Sequence, residues 1–201
     1  MIYVKHRQNK IFNIKKLNPK FGAEIDIRSY NNKLIIHHEP FMQGEDLEKW
    51  LKNYNHKFLI ANIKEEGIEK KIISILNKHN IKKYFLLDVT IPMINKLNNS
   101  NFYKIALRIS KFENLLNITN FNKRNKWLWI DTFDKKFPIN IKDIILVKSN
   151  NYKLCLVSPE LITNNKNDIE IFYKKNFKMI KKIDIICTKF PEHWESFNIN
   201  G

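Results

Sequence analysis

The chain of 201 residues has a mass of 24.2 kDa, which suits one domain or two small ones. A composition of 43% hydrophobic and 28% charged residues, with 4 Gly and 6 Pro, excludes a disordered, collagen-like or low-complexity chain. Charges interrupt every hydrophobic stretch, so none reaches the roughly 18 residues that span a bilayer, and the N-terminus lacks the apolar core of a secretion signal. We expect a single cytoplasmic domain over residues 1–201 without a membrane span, its oligomeric state left open.

The formal net charge of +16, from 36 basic and 20 acidic residues, raises the question of a nucleic-acid partner. The basic residues are 32 Lys and 4 Arg, beside 28 Asn and 32 Ile, which is the bias that an AT-rich genome produces. Because proteins that read bases depend on the guanidinium fork of Arg, we expect no specific nucleic-acid partner. The alternative is a polyanion-binding surface on the predicted helix 168–182. The lysines of that helix are Lys174, Lys175, Lys178, Lys181 and Lys182.

Short β-rich segments alternate with helical segments along the whole chain. Strands are predicted at 2–6, 23–28, 58–63, 84–88, 104–109, 127–131, 153–157 and 184–188. Helices are predicted at 44–54, 66–79, 91–98, 139–149 and 168–182. Several strands are almost continuously apolar, which is typical of strands covered on both faces. Eight strands alternating with crossovers predict an α/β fold, a compact (β/α)₈ TIM barrel.

The two cysteines, Cys155 and Cys187, lie in the apolar strand-like runs KLCLVS and DIICTKF. A reduced cysteine in such a run behaves as a small buried hydrophobic residue. We therefore expect neither a disulfide framework nor a zinc site.

Every predicted strand ends in polar side chains. They are His6 and Arg7; Glu24, Asp26 and Arg28; Asn62 and Lys64; Asp88; Arg108; Asp131; Ser158 and Glu160; and Thr188 and Lys189. The carboxyl ends of barrel strands form the rim on which active sites are built. Strands in any fold tend to end where the sequence becomes polar, which explains part of this pattern. It explains less well why three of the four arginines lie at strand ends. We expect the functional site at this rim.

Glu24 and Asp26 in the segment GAEIDIR are two residues apart, so a strand projects both carboxylates to one face. If that face lines a barrel, the two charges lose hydration at a cost of several kcal/mol per ion unless a cation compensates them. A divalent metal with oxygen ligands suits such a pair. The alternative is a half-exposed strand with a solvated acidic face.

The next segment, SYNNKLIIHHEP, predicts a tight turn at Asn31 and Asn32 and a short strand that returns to the same rim. The returning strand brings His37 or His38 near the carboxylates, and His6 approaches from the first strand. Two imidazoles flanking a metal-bound ligand suit general acid and base catalysis, because histidine titrates nearest to neutral pH. The alternative for each histidine is a structural role.

Three motifs resemble those of the glycerophosphodiester phosphodiesterase family in their order and spacing. They are His6-Arg7 after the first strand, G-A-E-I-D at 22–26 and L-I-I-H-H-E-P at 34–40. The family belongs to the phosphatidylinositol-phospholipase-C-like phosphodiesterase superfamily, so the resemblance implies a (β/α)₈ barrel. Beyond residue 64 the resemblance depends on strand rhythm and on the segments NIKEEG, LVSPEL and CTKFPE, which are similar to a small bacterial branch of the superfamily.

By position, the resemblance implies that His6 and His38 are the catalytic acid and base, with His37 as a neighbour of His38. The implied reaction needs no nucleophile from the enzyme. A substrate hydroxyl beside the phosphodiester attacks phosphorus, one histidine takes its proton, and the other protonates the leaving alcohol. The implied partner is a small-molecule substrate, a glycerophosphodiester-like or lipid-derived compound.

The resemblance also implies that Glu24 and Asp26 bind a divalent cation, Mg²⁺ or Ca²⁺. The family draws a third carboxylate from an E-x-K arrangement on the third strand, where this chain has Asn62-Ile63-Lys64. Asn62 offers only a neutral carbonyl oxygen as a ligand, so we expect weaker metal binding. Lys64 and Arg7 match residues on the phosphate side of the family's site, and they are expected to bind the substrate.

Two later positions complete the expected site. Arg108, at the end of the predicted strand 104–109, is a third candidate for substrate binding, and Lys189 stands where the resemblance leads us to expect an acid. Together with Asn62, this second departure leaves open another hypothesis, a catalytically weak or inactive barrel that only binds a phosphorylated ligand.

Overall fold

The computed structural model describes residues 1–116 and 124–197. The chain divides into two compact units. The 5–105 unit is formed by Lys5–Ile105, and the C-terminal unit is formed by Met1–Val4 together with Ala106–Gly201. Within the described ranges, no helix combines the length and the apolar character needed to cross a membrane.

Each of the eight predicted strands overlaps an observed strand. The strands in chain order are β1 (Ile2–Lys5), β2 (Gly22–Tyr30), β3 (Lys33–Ile36), β4 (Glu45–Asp46), β5 (Leu59–Ile63), β6 (Tyr84–Leu87), β7 (Ala106–Ile109), β8 (Trp127–Ile130), β9 (Lys153–Val157) and β10 (Ile185–Thr188). The helices are α1 (Ile11–Lys16), α2 (Leu47–Leu51), α3 (Glu69–Lys78), α4 (Ile91–Asn99), α5 (Ile141–Ser149), α6 (Glu160–Thr163), α7 (Asn167–Ile180) and α8 (Pro191–Glu195).

In the 5–105 unit the strands lie in the order β4-β3-β2-β5-β6. β2, β5 and β6 run parallel, whereas β3 and β4 are antiparallel additions beside β2. β5 and β6 are buried along their whole length, which is why β5 is apolar except for Asn62. The carboxyl ends of β2 and β5 therefore meet at one edge.

A two-residue turn joins β2 to β3. Asn31 and Asn32 have φ values of 48° and 60°, the left-handed conformation that a type I′ hairpin turn requires and that Asn tolerates. Tyr30 and Lys33 face each other across this turn. The predicted turn and returning strand are confirmed, and the hairpin brings the backbone N–H of His37 to 3.0 Å from the carbonyl oxygen of Asp26.

The predicted helix 44–54 is wrong at its beginning. A Cβ at Gly44 would lie 2.4 Å from the carbonyl oxygen of Ile36, so the chain passes here in close contact with β3 and forms the short strand β4. The helix α2 starts only after Asp46, whose side chain accepts a hydrogen bond from the N–H of Lys49 at 2.9 Å. Trp50 of α2 is fully buried. The short helix α1 has no apolar periodicity long enough to predict it.

In the C-terminal unit the strands lie in the order β1-β10-β9-β8-β7, and the ladders from β10 to β7 are parallel. Cys155 on β9 and Cys187 on β10 are fully buried, as predicted for cysteines in apolar strands. Helix α5 confirms the predicted helix 139–149, since Asn140 and Asp143 form a capping box at its start.

Two lysines of the predicted helix 168–182 make contacts within that segment. Lys174 forms an ion pair with Glu170 at 2.8 Å, and the Lys181 ammonium lies 4.5 Å from the centre of the Phe177 ring. Such contacts are ordinary for a solvated helix face. A polyanion-binding role for this helix stays a prediction.

Candidate active site

Glu24 and Asp26 lie on β2, and both are only 1% exposed. The alternation of the strand projects both carboxylates to one face, while Ile25 and Ile27 are fully buried on the other. The alternative of a solvated acidic face is therefore excluded. The structure buries two neighbouring carboxylates, and that arrangement needs compensation by positive charge or by protonation.

Asn62 is the partner of Asp26 in the parallel register of β2 and β5. Its Nδ2 donates a hydrogen bond to Oε1 of Glu24 at 3.1 Å. Within residues 1–116 and 124–197, the buried Oδ1 atoms of Asn62 and Asp26 have no hydrogen-bond partner. Two oxygen atoms with unused acceptor capacity therefore belong to the same buried cluster.

The loop after β1 wraps around the two carboxylates. The backbone N–H of Arg7 donates to Oε2 of Glu24 at 2.7 Å, and the N–H of Gln8 donates to the Glu24 carbonyl oxygen at 2.7 Å. The Asn9 side chain makes a double contact with Asp26, because its Nδ2 donates to Oδ2 at 2.8 Å and its Oδ1 accepts the backbone N–H at 3.1 Å. The loop thus fixes the orientation of both carboxylates.

This loop is itself held in place and locally strained. The indole Nε1 of the buried Trp50 donates to the Gln8 carbonyl oxygen at 2.8 Å, and the Gln8 side chain donates to the His6 carbonyl oxygen at 2.9 Å.

Arg7 has a φ of 50°, a conformation that costs a non-glycine residue about 1–3 kcal/mol and is common at functional sites. The side chain of Arg7 is 49% exposed, with Nε 3.7 Å from Oδ2 of Asp26. It can reach an anion in solution while it balances Asp26.

Burial, followed by the charge of Asp26, raises the pKa of Glu24 to about 8. Hydrogen bonds from the Arg7 N–H and from Asn62 and the charge of Lys64 act in the opposite direction and do not cancel this effect. Near neutral pH and without a bound cation, Glu24 therefore keeps a proton. A cation that binds to Glu24 must displace that proton.

The histidines of the motifs have different surroundings. His6 is 19% exposed, and its Nε2 lies 3.7 Å from Oε2 of Glu24. His38 is 35% exposed, and its Nδ1 lies 2.5 Å from Oε1 of Glu39, whose pKa is lowered by this hydrogen bond. A carboxylate on Nδ1 orients the imidazole and leaves Nε2 for proton transfer. The ring of His37 contacts only the backbone of Glu39 among the hydrogen bonds described.

Arg28 links the two chain segments that carry His38 and Lys64. Its Nε donates to the His38 carbonyl oxygen at 2.9 Å, and its Nη1 donates to the Lys64 carbonyl oxygen at 2.7 Å. One rigid guanidinium thus connects the end of the β2–β3 hairpin to the end of β5. Both hydrogen bonds go to backbone carbonyl oxygens, so they do not depend on the side chains of His38 and Lys64.

Lys64 places a partly buried ammonium beside the carboxylate pair. Its Nζ lies 3.6 Å from Oδ1 of Asp26 and 3.3 Å from Oδ2 of Asp88, and its side chain is 18% exposed. Asp88 follows β6 with a φ of 58°, a second strained position at this edge. Lys64 and Arg7 therefore flank Asp26 with two cations, and their role in substrate binding stays a prediction.

The side-chain oxygen atoms of Glu24, Asp26 and Asn62 are ligands that suit a hard divalent cation. Two carboxylates and an amide oxygen are the ligands that Mg²⁺ or Ca²⁺ prefers, and the Oδ1 atoms of Asp26 and Asn62 have acceptor capacity to spare. Across the part of the chain that the structure describes, no three His, Cys, Asp or Glu side chains are grouped to hold a metal ion. Glu24 and Asp26 would therefore hold a cation together with Asn62, with the remaining positions left to water or substrate.

The structure brings most of the predicted site residues together. His6, Arg7, Glu24, Asp26, Asn62 and Lys64 are joined by direct contacts, and His38 is joined to Lys64 through Arg28. All of them belong to the 5–105 unit. Asn9 was not predicted, because no spacing or pattern distinguishes it from the chain's many other asparagines. Glu39 could have been noticed, since it directly follows His38 in the H-H-E motif.

Arg108 and Lys189 lie in the C-terminal unit, where both have local partners. Arg108 forms an ion pair with Asp131 through Nη1 and lies 3.9 Å from Glu113 through Nε. The Lys189 ammonium donates to the side-chain oxygen of Asn164. The predicted role of Arg108 in substrate binding stays a prediction.

Comparison with solved structures identifies the class of fold. A protein of Galdieria sulphuraria, provisionally assigned as a glycerophosphodiester phosphodiesterase, superposes with a TM-score of 0.71 at 12% identity, over 100% of this chain and 98% of its own. A glycerophosphoryl diester phosphodiesterase from Parabacteroides distasonis superposes with a TM-score of 0.63 at 12% identity, over 94% of this chain and 83% of its own.

These likenesses establish the fold. The chain has the (β/α)₈-barrel fold of the glycerophosphodiester phosphodiesterases, so the predicted fold class is confirmed and the resemblance seen in the motifs extends to the backbone. No family profile matches the sequence. No curated protein has significant similarity to it either.

Proposed function

We propose that this protein is a metal-dependent phosphoric diester hydrolase that acts on a glycerophosphodiester-like small or lipid-derived substrate. The observation that carries the proposal is the buried pair Glu24 and Asp26, contacted by His6, Arg7 and Lys64 within one unit of the chain. A protonatable imidazole and two cations around buried oxygen ligands suit chemistry on a phosphate. The fold shared with glycerophosphodiester phosphodiesterases supports this reaction class.

The reaction uses the substrate's own hydroxyl as the nucleophile. The hydroxyl oxygen next to the phosphodiester forms a bond to phosphorus, and the bond from phosphorus to the leaving oxygen breaks. Of His6 and His38, one accepts the hydroxyl proton and the other donates a proton to the departing alcohol. The first product is then a cyclic phosphate, and water opens it in a second step. Both histidines are partly exposed, at 19% and 35%, so both can reach a substrate in solvent.

In this proposal, three sources of positive charge act on the phosphate. Arg7 supplies a half-exposed guanidinium, and Lys64 supplies an ammonium beside Asp26. Both stabilise negative charge that grows on the phosphate oxygens during the transfer. Glu24, Asp26 and Asn62 would hold Mg²⁺ or Ca²⁺, and that cation would supply further positive charge to stabilise the phosphate oxygens.

A second candidate function is the binding of a phosphorylated ligand without turnover. The contact that favours it is the hydrogen bond from Asn62 to Glu24, together with the raised pKa of Glu24. With an amide donor and a proton in place, the carboxylate pair is stable without a cation. Arg7 and Lys64 would then still bind a phosphate.

Turnover of glycerophosphoglycerol with and without added cation tests the proposal. Hydrolysis that depends on Mg²⁺, Ca²⁺ or Mn²⁺ and stops with EDTA is expected. The contradicting result is that no diester is hydrolysed in the presence of any of these cations, although calorimetry detects binding of glycerol 3-phosphate. In that case the second candidate function is correct and the enzyme proposal is wrong.

A further inference from the structure

A groove of about 640 Å³ lies in the C-terminal unit, between α7 and the segment that leads from β8 into α5. The segment lines it with residues between 135 and 141, and α7 lines it with residues 174–179. We call this feature the basic groove. None of its residues is assigned to the proposed reaction, so its role is a separate question.

The charge of the basic groove has one sign. Five of the twelve residues that line it are lysines, and none of those twelve described residues is acidic. The lysines are Lys135, Lys136, Lys174, Lys175 and Lys178. A concave surface lined by one sign of charge concentrates partners of the opposite sign. The groove therefore attracts an anionic partner.

Three of these lysines have charges that the protein does not balance. Lys135 is paired with Asp168 at 3.0 Å, and Lys174 is paired with Glu170 at 2.8 Å. By contrast, no ion pair with another residue of the ranges 1–116 and 124–197 involves Lys136, Lys175 or Lys178, and all three are exposed. Their ammonium groups can contact an anion without breaking an existing ion pair.

Exposed apolar side chains lie on the same surface as the lysines. The apolar residues that line the basic groove are Phe137, Ile139, Ile141, Phe177 and Met179. Phe177 is 39% exposed, and Ile171 of α7 is 64% exposed. Because residues three and four apart share a helix face, Ile171 lies beside Lys174 and Lys175. The surface is thus both basic and apolar.

Contacts between the two walls fix the shape of the basic groove. The ring of Phe137 stacks on Phe172 of α7, with 5.2 Å between ring centres. Asn176 interrupts the helix with φ −120° and ψ 18°, and its buried side chain donates from Nδ2 to the Phe172 carbonyl oxygen at 2.9 Å. The groove therefore needs no ordering before a partner binds.

The aromatic rings of the groove argue against a nucleic acid as the partner. Phe172 covers one face of the Phe137 ring, and the Lys181 ammonium lies 4.5 Å from the centre of the Phe177 ring. Single strands bind by stacking bases on free ring faces, and duplexes are read mainly by arginine, which is absent from the residues that line this groove. Lysines beside exposed apolar side chains are instead typical of surfaces that bind anionic bilayers.

We propose that the basic groove docks on a membrane surface that contains anionic phospholipids. Lys136, Lys175 and Lys178 contact the lipid phosphates, while Ile171 and Phe177 contact the boundary between the headgroups and the acyl chains. This inference goes beyond the proposed function and does not depend on it, because vesicle binding requires no turnover.

Sedimentation of the full chain with vesicles at physiological ionic strength tests the proposal. Vesicles of phosphatidylcholine mixed with phosphatidylglycerol are expected to bind the wild type, and vesicles of pure phosphatidylcholine are not. The groove variant combines Lys136→Gln, Lys175→Gln and Lys178→Gln. It should lower the partition coefficient on the order of a hundredfold, about fivefold for each lysine.

A charge-matched control separates the groove from the net charge of the chain. It combines Lys33→Gln, Lys70→Gln and Lys83→Gln, at three exposed lysines of the 5–105 unit. Both variants have the same net charge, and circular dichroism checks that both are folded. The control should bind nearly as well as the wild type. Equal losses in the two variants, or equal binding of the wild type to both kinds of vesicle, would contradict the proposal.

A further comparison separates a membrane surface from a general polyanion site. Ile171→Gln should weaken vesicle binding by about threefold to tenfold, since it removes apolar contact with the bilayer, whereas Ile171→Leu should not. Duplex DNA serves as the polyanion without an apolar phase. If the groove variant weakens DNA binding as strongly as vesicle binding and Ile171→Gln has no effect on vesicles, the groove is a polyanion site and the membrane proposal is wrong.

Discussion

Asn62 donates a hydrogen bond to Oε1 of Glu24 across the parallel register of β2 and β5, at 3.1 Å. This single contact has two opposite consequences for the site. It stabilises the buried carboxyl group when no cation is present, and it occupies an oxygen that a cation would use. A carboxylate in the place of Asn62 would repel Glu24 until a cation arrived.

Asn62→Glu should therefore tighten the binding of Mg²⁺, Ca²⁺ or Mn²⁺ by on the order of tenfold, because it adds a charged oxygen ligand. Calorimetry on the folded variant measures the effect. Asn62→Gln is the matched control, since it has the same length as Glu without the charge, and it should not tighten binding. Equal affinities of the wild type and Asn62→Glu would show that residue 62 does not contact the cation.

The raised pKa of Glu24 predicts a pH dependence of stability in the absence of metal. The native state holds a proton on Glu24 up to about pH 8, whereas the unfolded chain loses it at the ordinary value of 4.5. Stability is therefore lost as the pH rises through this window. In EDTA, the free energy of unfolding in urea should fall between pH 5 and pH 8 for the wild type. Glu24→Gln should show a clearly smaller fall, and identical slopes would contradict the assignment of the proton.

His6 and His38, the proposed acid and base, should differ from the neighbouring His37 in their effect on the rate. His6→Ala and His38→Ala should each lower kcat by about 10²–10⁴, the usual contribution of a positioned acid or base. His37 precedes His38 on the same loop, but its ring contacts only the Glu39 backbone among the hydrogen bonds described. His37→Ala should cost much less and serves as the matched control. Full activity of His38→Ala would overturn its role.

Arg28 is predicted to be a positioning residue. Because its guanidinium holds the carbonyl groups of His38 and Lys64, Arg28→Met should lower kcat by roughly tenfold or more while KM changes less. Arg28→Lys can keep one of the two hydrogen bonds and should recover part of the rate. Arg124→Met, at an exposed arginine outside the 5–105 unit, is the control. A loss in thermal stability with unchanged kcat would mean that Arg28 has a structural role only.

Local patterns were enough to predict the parts of the site that depend on one segment. The spacing of Glu24 and Asp26 predicted a shared face, and Asn31-Asn32 predicted the hairpin that returns to β2. The apolar runs predicted the parallel strands. Each of these features depends on the geometry of neighbouring residues, which the sequence displays directly.

Features that depend on distant backbone groups could not be predicted in this way. Arg28 bonds carbonyl groups that lie 10 and 36 residues away, and any residue type could supply those oxygens. The helix predicted at 44–54 begins only at Leu47, because Gly44 must fit against Ile36 and the chain there forms β4, a contact that helical periodicity does not reveal.

The central claim is that the substrate supplies the nucleophile and that the protein supplies only acid, base and positive charge. The most direct test compares glycerophosphoglycerol, in the presence of Mg²⁺ or Ca²⁺, with the same diester methylated at both hydroxyls adjacent to the phosphate, one on each glycerol. We expect turnover of the free diester alone, with a cyclic phosphate as the first product detected by ³¹P NMR. Equal turnover of the methylated diester, without a cyclic intermediate, would contradict the account.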